Sequence, residues 1–143
     1  MTADLLEHAR RLAAHPGRWP VQPRFDTEER WYARLSAGPD HEAWLLTWQP
    51  GHDTEWHDHG GSAGAFLVVS GRLREDTPNG SRRLTADMGR QFGARHIHRV
   101  INDGAAPAVS LHVYAPALTM MTRYDMIGGD LRVRSVERAG ADW

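Results

Sequence analysis

The chain has 143 residues, no cysteine, and 17 Lys+Arg against 18 Asp+Glu, for a formal charge of -1. That length suits one domain with its own core. The balanced charge argues against a broad nucleic-acid or membrane footprint, and the lack of cysteine removes disulfides, thiolate ligands and cysteine nucleophiles together.

Thr2 is expected to cap a helix spanning roughly residues 2–15, with Leu5, Leu6, Ala9, Leu12 and Ala13 on one stripe. His15-Pro16-Gly17 ends it. Charges interrupt every apolar stretch of this region, so no signal peptide is read there, and no run is long enough to span a bilayer. A cytoplasmic location is therefore expected. Beyond the helix come short apolar segments: RWYARLSA, EAWLLTWQ, AGAFLVVS, GRLRED, HRVIND, AVSLHVYA, TRYDMI and LRVRSV. Gly38-Pro39-Asp40, Pro50-Gly51, Pro78-Asn79-Gly80 and Gly128-Gly129-Asp130 separate some of them. Regularly spaced short strands predict an all-β sandwich or barrel. Residues 1–143 read as a single domain with a core at 27–137, and residues 137–143 as a fraying end.

Nine histidines stand out. His57 and His59 are two apart, which on a strand puts both rings on one face and Asp58 on the other. His98 precedes another strand. Three neutral imidazoles meeting in a barrel mouth make a metal site with open positions, suited to zinc, iron, nickel or copper. A His-x-His pair by itself is equally compatible with polar surface. Ser110, His112 and Tyr114 alternate in AVSLHVYA and share a face. They can form a hydrogen-bonded relay, or simply be satisfied core groups. They are not a hydrolase triad, because nothing supplies an oxyanion hole.

The order Gly51, five residues, His57, one residue, His59, four residues, Gly64, six residues, Gly71 resembles the first motif of the cupins. These are small double-sheet barrels, and Gly64 stands where most cupins carry a ligand glutamate. The second motif is half kept: His98 and Asn102 match, while Gly93 and Arg95 replace its proline and glycine. The HDH core, the missing glutamate and HRVIN…PAVSLHVYAP resemble the cysteine dioxygenase family of thiol dioxygenases, over residues 27–125. The resemblance implies an all-β cupin with a short N-terminal helix. It implies non-haem Fe(II) held by His57, His59 and His98, and both atoms of O2 added to a small thiol to give a sulfinate. A metal held by neutral ligands alone keeps its full charge for a thiolate. The relay Ser110-His112-Tyr114 would aim the tyrosine hydroxyl at substrate and oxygen.

Tyr32 and Arg34 share a face of RWYARLSA. A lone strand arginine is usually solvated, but a Tyr-x-Arg here holds the substrate carboxylate in the family, through the planar guanidinium fork. Members preferring 3-mercaptopropionate have glutamine there, so Arg34 favours L-cysteine, oxidised to cysteine sulfinate. Several eukaryotic members join the relay tyrosine to a cysteine whose place is Gly64; that link cannot form here. The small residues 60–64 point to a roomy pocket. His96 would be a partner of His98 or a rival ligand. His52 is not read as a ligand, Trp48 is read as packing, and His8, His15 and His41 are read as surface. Expected partners are a small thiol and O2, with no nucleic acid and no membrane, in a monomer or homodimer. The alternatives are another thiol (3-mercaptopropionate, cysteamine or a larger one), a non-catalytic metal-binding cupin, or a zinc or nickel isomerase.

Overall fold

The computed structural model describes residues 4–38 and 40–138. Helix α1 (Leu5–Ala13) starts at Asp4, whose carboxylate accepts a hydrogen bond from the Glu7 amide at 2.9 Å. Aspartate is among the strongest N-caps. Thr2, the expected cap, lies outside the described residues, and Asp4 does the capping. A short 3-10 turn, Pro16–Arg18, follows where His15-Pro16-Gly17 is expected to stop the helix. Trp19 folds back, its indole N–H donating to the Leu12 carbonyl at 2.9 Å. Among the described residues no helix is long and apolar enough to cross a membrane.

Eleven strands follow in the described chain: β1 Trp31–Ala37, β2 Glu42–Trp48, β3 Trp56–His57, β4 Ala63–Ser70, β5 Arg72–Thr77, β6 Gly80–Thr85, β7 Gly89–Phe92, β8 Arg99–Ile101, β9 Ala108–Ala115, β10 Met120–Ile127 and β11 Asp130–Arg138. A five-stranded sheet runs β1-β2-β9-β4-β7, and two three-stranded sheets run β11-β10-β3 and β6-β5-β8. This is the expected all-β barrel with one short N-terminal helix.

The eight apolar segments all contain strands, while β3, β6 and β7 carry no such signal. Strand β6 buries only Leu84 and leaves its other side chains in solvent. Its period-two pattern is therefore nearly silent. Strand β3 is two residues long.

Strands β2 and β9 are buried on both faces because both faces are covered. Leu45, Leu111 and Val113 look outward, toward α1 and Trp19. Trp44, Leu46, Trp48 and Tyr114 look into the barrel, against Phe66, Leu73, Leu84, Phe92 and Val100. Each fully buried leucine here contributes about 1.5–3 kcal/mol by removing apolar surface from water. The register sets Trp44 opposite His112 and Leu46 opposite Ser110. The relay face of β9 therefore points into the barrel.

Candidate metal centre

His57 ends β3 and faces His98 in an antiparallel bridge, with backbone hydrogen bonds of 3.0 and 3.1 Å in the two directions. Residues paired this way put their side chains on the same face. The extended segment stops at His57, short of His59. What turns His59 inward is Asp58, which accepts from the Gly60 and Thr122 amides at 3.1 and 3.0 Å and from the Tyr124 hydroxyl at 2.8 Å. Asp58 pins the loop to β10, so its neighbours face the barrel. Gly60 makes the turn at φ 57°, and a Cβ there would lie 2.2 Å from the Met120 carbonyl oxygen. Only glycine suits that position.

His57, His59 and His98 come together with one ring nitrogen from each within 4.8 Å of the others, and all three are buried. His57 Nδ1 lies 3.0 Å from the Glu55 carbonyl oxygen, and His98 Nδ1 lies 2.7 Å from Glu75 Oε2. Both acceptors require a proton on Nδ1, which leaves the Nε2 lone pair available. His59 is different: both of its ring nitrogens are buried and neither has a hydrogen-bond partner. An unsatisfied buried polar group costs about 1–3 kcal/mol, and an ion among these nitrogens would remove that cost.

Burial lowers the His57 pKa to about 4, helped by the charges of Arg123 and Arg30. Burial and the neighbouring histidines hold His59 and His98 well below the usual imidazole value. All three are therefore neutral, the form a metal requires. The donor set fits a first-row transition ion.

Glu75, fully buried on β5, stands behind His98. One oxygen also accepts from His96 Nε2 at 3.0 Å, and the other pairs with Arg90 Nε at 2.8 Å. His96 is thus a partner of Glu75, beside a second possible cluster of Glu75, His96 and His98. Sequence reasoning missed Glu75, which carries no spacing signal within GRLRED. Glu75 thus orients the His98 ring.

Ser110 Oγ lies 2.8 Å from His112 Nε2, and the Tyr114 hydroxyl 3.4 Å from His112 Nδ1. Trp48, expected only to pack, donates its indole N–H to Ser110 Oγ at 2.8 Å and so extends the chain. The Tyr114 ring stacks on His59, with centroids 5.4 Å apart. Burial lowers the His112 pKa to about 3 and raises that of the Tyr114 phenol. Both groups are neutral, and the phenol keeps its proton.

Of the small residues 60–64, expected to open a roomy pocket, Gly64 opens none. A Cβ on Gly64 would meet the Phe92 ring at 2.6 Å and the Tyr114 ring at 2.9 Å. Phe92 fills the space beside Gly64. Tyr32 packs on the inner core, edge-on to Trp44. Arg34 is placed at the rim: it is 56% exposed, 3.7 Å from Glu42 and above the Trp44 ring. Arg30, not singled out from the sequence although it shares the face of Tyr32 and Arg34, lies over Trp48 at 5.2 Å. Asn102 clamps the Trp48 and Ala106 carbonyls, and His52 bonds the Gln49 amide and the Glu28 carbonyl. Among the surface expectations, His15 is exposed, while His8 and His41 are half-buried with their rings in edge contact.

Solved structures share this fold. TT1209 from Thermus thermophilus is 24% identical, over 66% of this chain and 90% of that one, with a TM-score of 0.62. An uncharacterized conserved protein with a double-stranded β-helix domain from Klebsiella pneumoniae is 18% identical, over 78% and 90%, with a TM-score of 0.60. A sugar phosphate isomerase from a cupin superfamily of Silicibacter pomeroyi is 20% identical, over 80% of each chain, with a TM-score of 0.57. These likenesses establish the cupin fold. No curated protein sequence matches the chain. The family model for cysteine dioxygenase type I matches residues 4–127. With that match across most of its length, the chain belongs to the cysteine dioxygenase type I family.

Proposed function

We propose that the protein is an Fe(II)-dependent thiol dioxygenase that converts a small carboxylated thiol, L-cysteine first, to its sulfinate. The observation that carries this reading is the ligand set itself. It consists of neutral imidazoles only, with both nitrogens of His59 unbonded. His57, His59 and His98 would hold the ion. When bound, Fe(II) would supply positive charge for a thiolate and the redox chemistry by which dioxygen reacts with it.

The chain's own residues do the rest. Glu75 fixes the ring of His98, and the Glu55 carbonyl fixes that of His57. Neutral ligands leave the positive charge of the site uncancelled, and Arg30 and Arg123 add to the field at His57. An anionic substrate is favoured in such a field. Tyr114, steadied through His112, Ser110 and Trp48, presents a protonated phenol beside His59. A hydrogen-bond donor fixed where oxygen becomes negatively charged accelerates reaction without having to reorganise. Tyr32 and Arg34 are the carboxylate-binding pair that the family resemblance assigns to this site. Sulfur supplies all the electrons that dioxygen accepts, so no external reductant is needed.

The test is oxygen uptake by anaerobically Fe(II)-loaded protein with L-cysteine, cysteamine and 3-mercaptopropionate side by side. Uptake with cysteine, matched by cysteine sulfinate, is the expected result. Uptake with another thiol alone keeps the chemistry and changes the substrate. Full iron occupancy without uptake on any thiol favours a metal-binding cupin that does not catalyse.

A further inference from the structure

Granted the thiol chemistry proposed above, we infer that Arg30 makes the inner contact with the substrate carboxylate, and that Arg34 serves chiefly to neutralise Glu42 at the rim. Arg30, Tyr32 and Arg34 alternate along one face at and just before β1. Tyr32 lies opposite Leu46, and Arg34 opposite Trp44. Two residues earlier, the Arg30 guanidinium lies over the Trp48 ring, 5.2 Å from its centroid. That contact holds the guanidinium, whose planar fork can grip a carboxylate at two points, against the ring.

The two arginines differ in what they already hold. Arg34 is exposed and paired with the buried Glu42 carboxylate, whose other oxygen accepts from the Leu118 amide at 2.8 Å. Removing Arg34 strips a buried acid of its counter-charge. Arg30 has no carboxylate within ion-pair distance among the described residues, and its Nη1 is buried without a hydrogen-bond partner. Asp53, the nearest acid by its influence on Arg30, is held by Arg99 at 3.1 Å. A buried guanidinium N–H with no acceptor of its own is stabilised by an arriving anion.

Its position suits a substrate anchored at the histidines. Trp48 also donates to Ser110 of the relay, so Arg30 is one ring away from it. The charge of Arg30 is felt at His57, His112 and Tyr114. Two surface clefts, of about 470 and 370 Å³, both have Arg30 and Asp53 in their walls. Arg30 is thus open to a small anion from either cleft. The substrate class is therefore a thiol carrying a carboxylate a few bonds from sulfur.

The experiment is anaerobic titration of Fe(II)-loaded protein with L-cysteine and with cysteamine, which lacks the carboxylate, in wild type, Arg30→Met, Arg30→Lys and Arg34→Met. Iron content and thermal unfolding are measured on each. Arg30→Met is expected to weaken cysteine binding about 100-fold, the size of a lost buried charge contact. Its cysteamine binding should stay within about threefold of wild type, because no carboxylate contact is lost. Arg34→Met should cost cysteine binding less than Arg30→Met does. Arg30→Lys keeps the charge without the fork and should still lose about tenfold for cysteine. It decides the matter if the methionine variant does not fold. A larger cysteine loss in Arg34→Met, an equal loss of both thiols in the Arg30 variants, or a wild type that does not prefer cysteine to cysteamine would each overturn the inference. Iron-loaded wild type that binds neither thiol would overturn the thiol reading along with it.

Discussion

His59 and His112 lie in the same barrel, each buried and each one step from another polar residue on a period-two pattern. Their nitrogens are treated in opposite ways. Both nitrogens of His112 are engaged by side chains, Ser110 on one side and Tyr114 on the other. Neither nitrogen of His59 is engaged at all. Desolvation keeps both rings neutral, so charge does not separate them. What separates them is whether the surroundings have already used the lone pair. His112 is part of a closed chain that positions a phenol, while His59 is left open toward two other imidazoles. Burial and spacing alone therefore do not identify a ligand; the hydrogen-bond account of each nitrogen does.

The largest expected effect breaks this contrast directly. His59→Ala should weaken Fe(II) binding at least about 100-fold, since a neutral three-nitrogen set becomes a pair. His112→Ala should leave iron binding within about threefold, because both of its nitrogens are already taken by Ser110 and Tyr114. Equilibrium dialysis of the two variants checks this, and the reverse ranking would sink the assignment.

The pH dependence of the apoprotein comes next. His57 titrates near 4 when folded, against an ordinary imidazole value of 6.5. The unfolded chain therefore takes up a proton that the folded chain refuses over that interval, and stability falls as pH drops through it. The loss from His57 alone is roughly 3 kcal/mol, and His112, lowered to about 3, adds to it. Denaturant unfolding of metal-free protein should show the decline, and an unchanged midpoint from about pH 7 to about pH 4 would contradict the buried neutral histidines.

Tyr114→Phe should keep iron and substrate affinity while slowing turnover about 100-fold, as loss of one positioned donor does. Full turnover with tightly coupled oxygen use would remove the relay from the mechanism. The smallest effect is at Gly64. Gly64→Cys forces a side chain against Phe92 and Tyr114 and should cost about 1–3 kcal/mol of stability. Here the companion Phe92→Ala/Gly64→Cys pair should recover part of the strain, read by thermal unfolding.

Much of this site was legible in the sequence because period two is a strong geometric rule. The eight apolar segments contain strands, and the relay alternation does place Ser110, His112 and Tyr114 on one inner face. Some contacts left no trace there. Glu75 reaches His98 from a different sheet strand across 23 positions, and nothing local to GRLRED marks that partner. Arg30 is a different case: it shares the alternation of Tyr32 and Arg34, but exposure and pairing, not spacing, distinguish the two arginines. The pocket expectation failed at Gly64 because the absence of a side chain there is compensated by a ring from β7. A composition of small residues says what is missing locally, not what another strand puts in its place.

The central claim is that this three-histidine site adds both atoms of dioxygen to a thiol. The most direct measurement is the mass of the sulfinate formed from L-cysteine by Fe(II)-loaded protein under labelled dioxygen in ordinary water. Both label atoms in the same sulfinate is the predicted result. One labelled atom, none, or no sulfinate at full iron occupancy would contradict it.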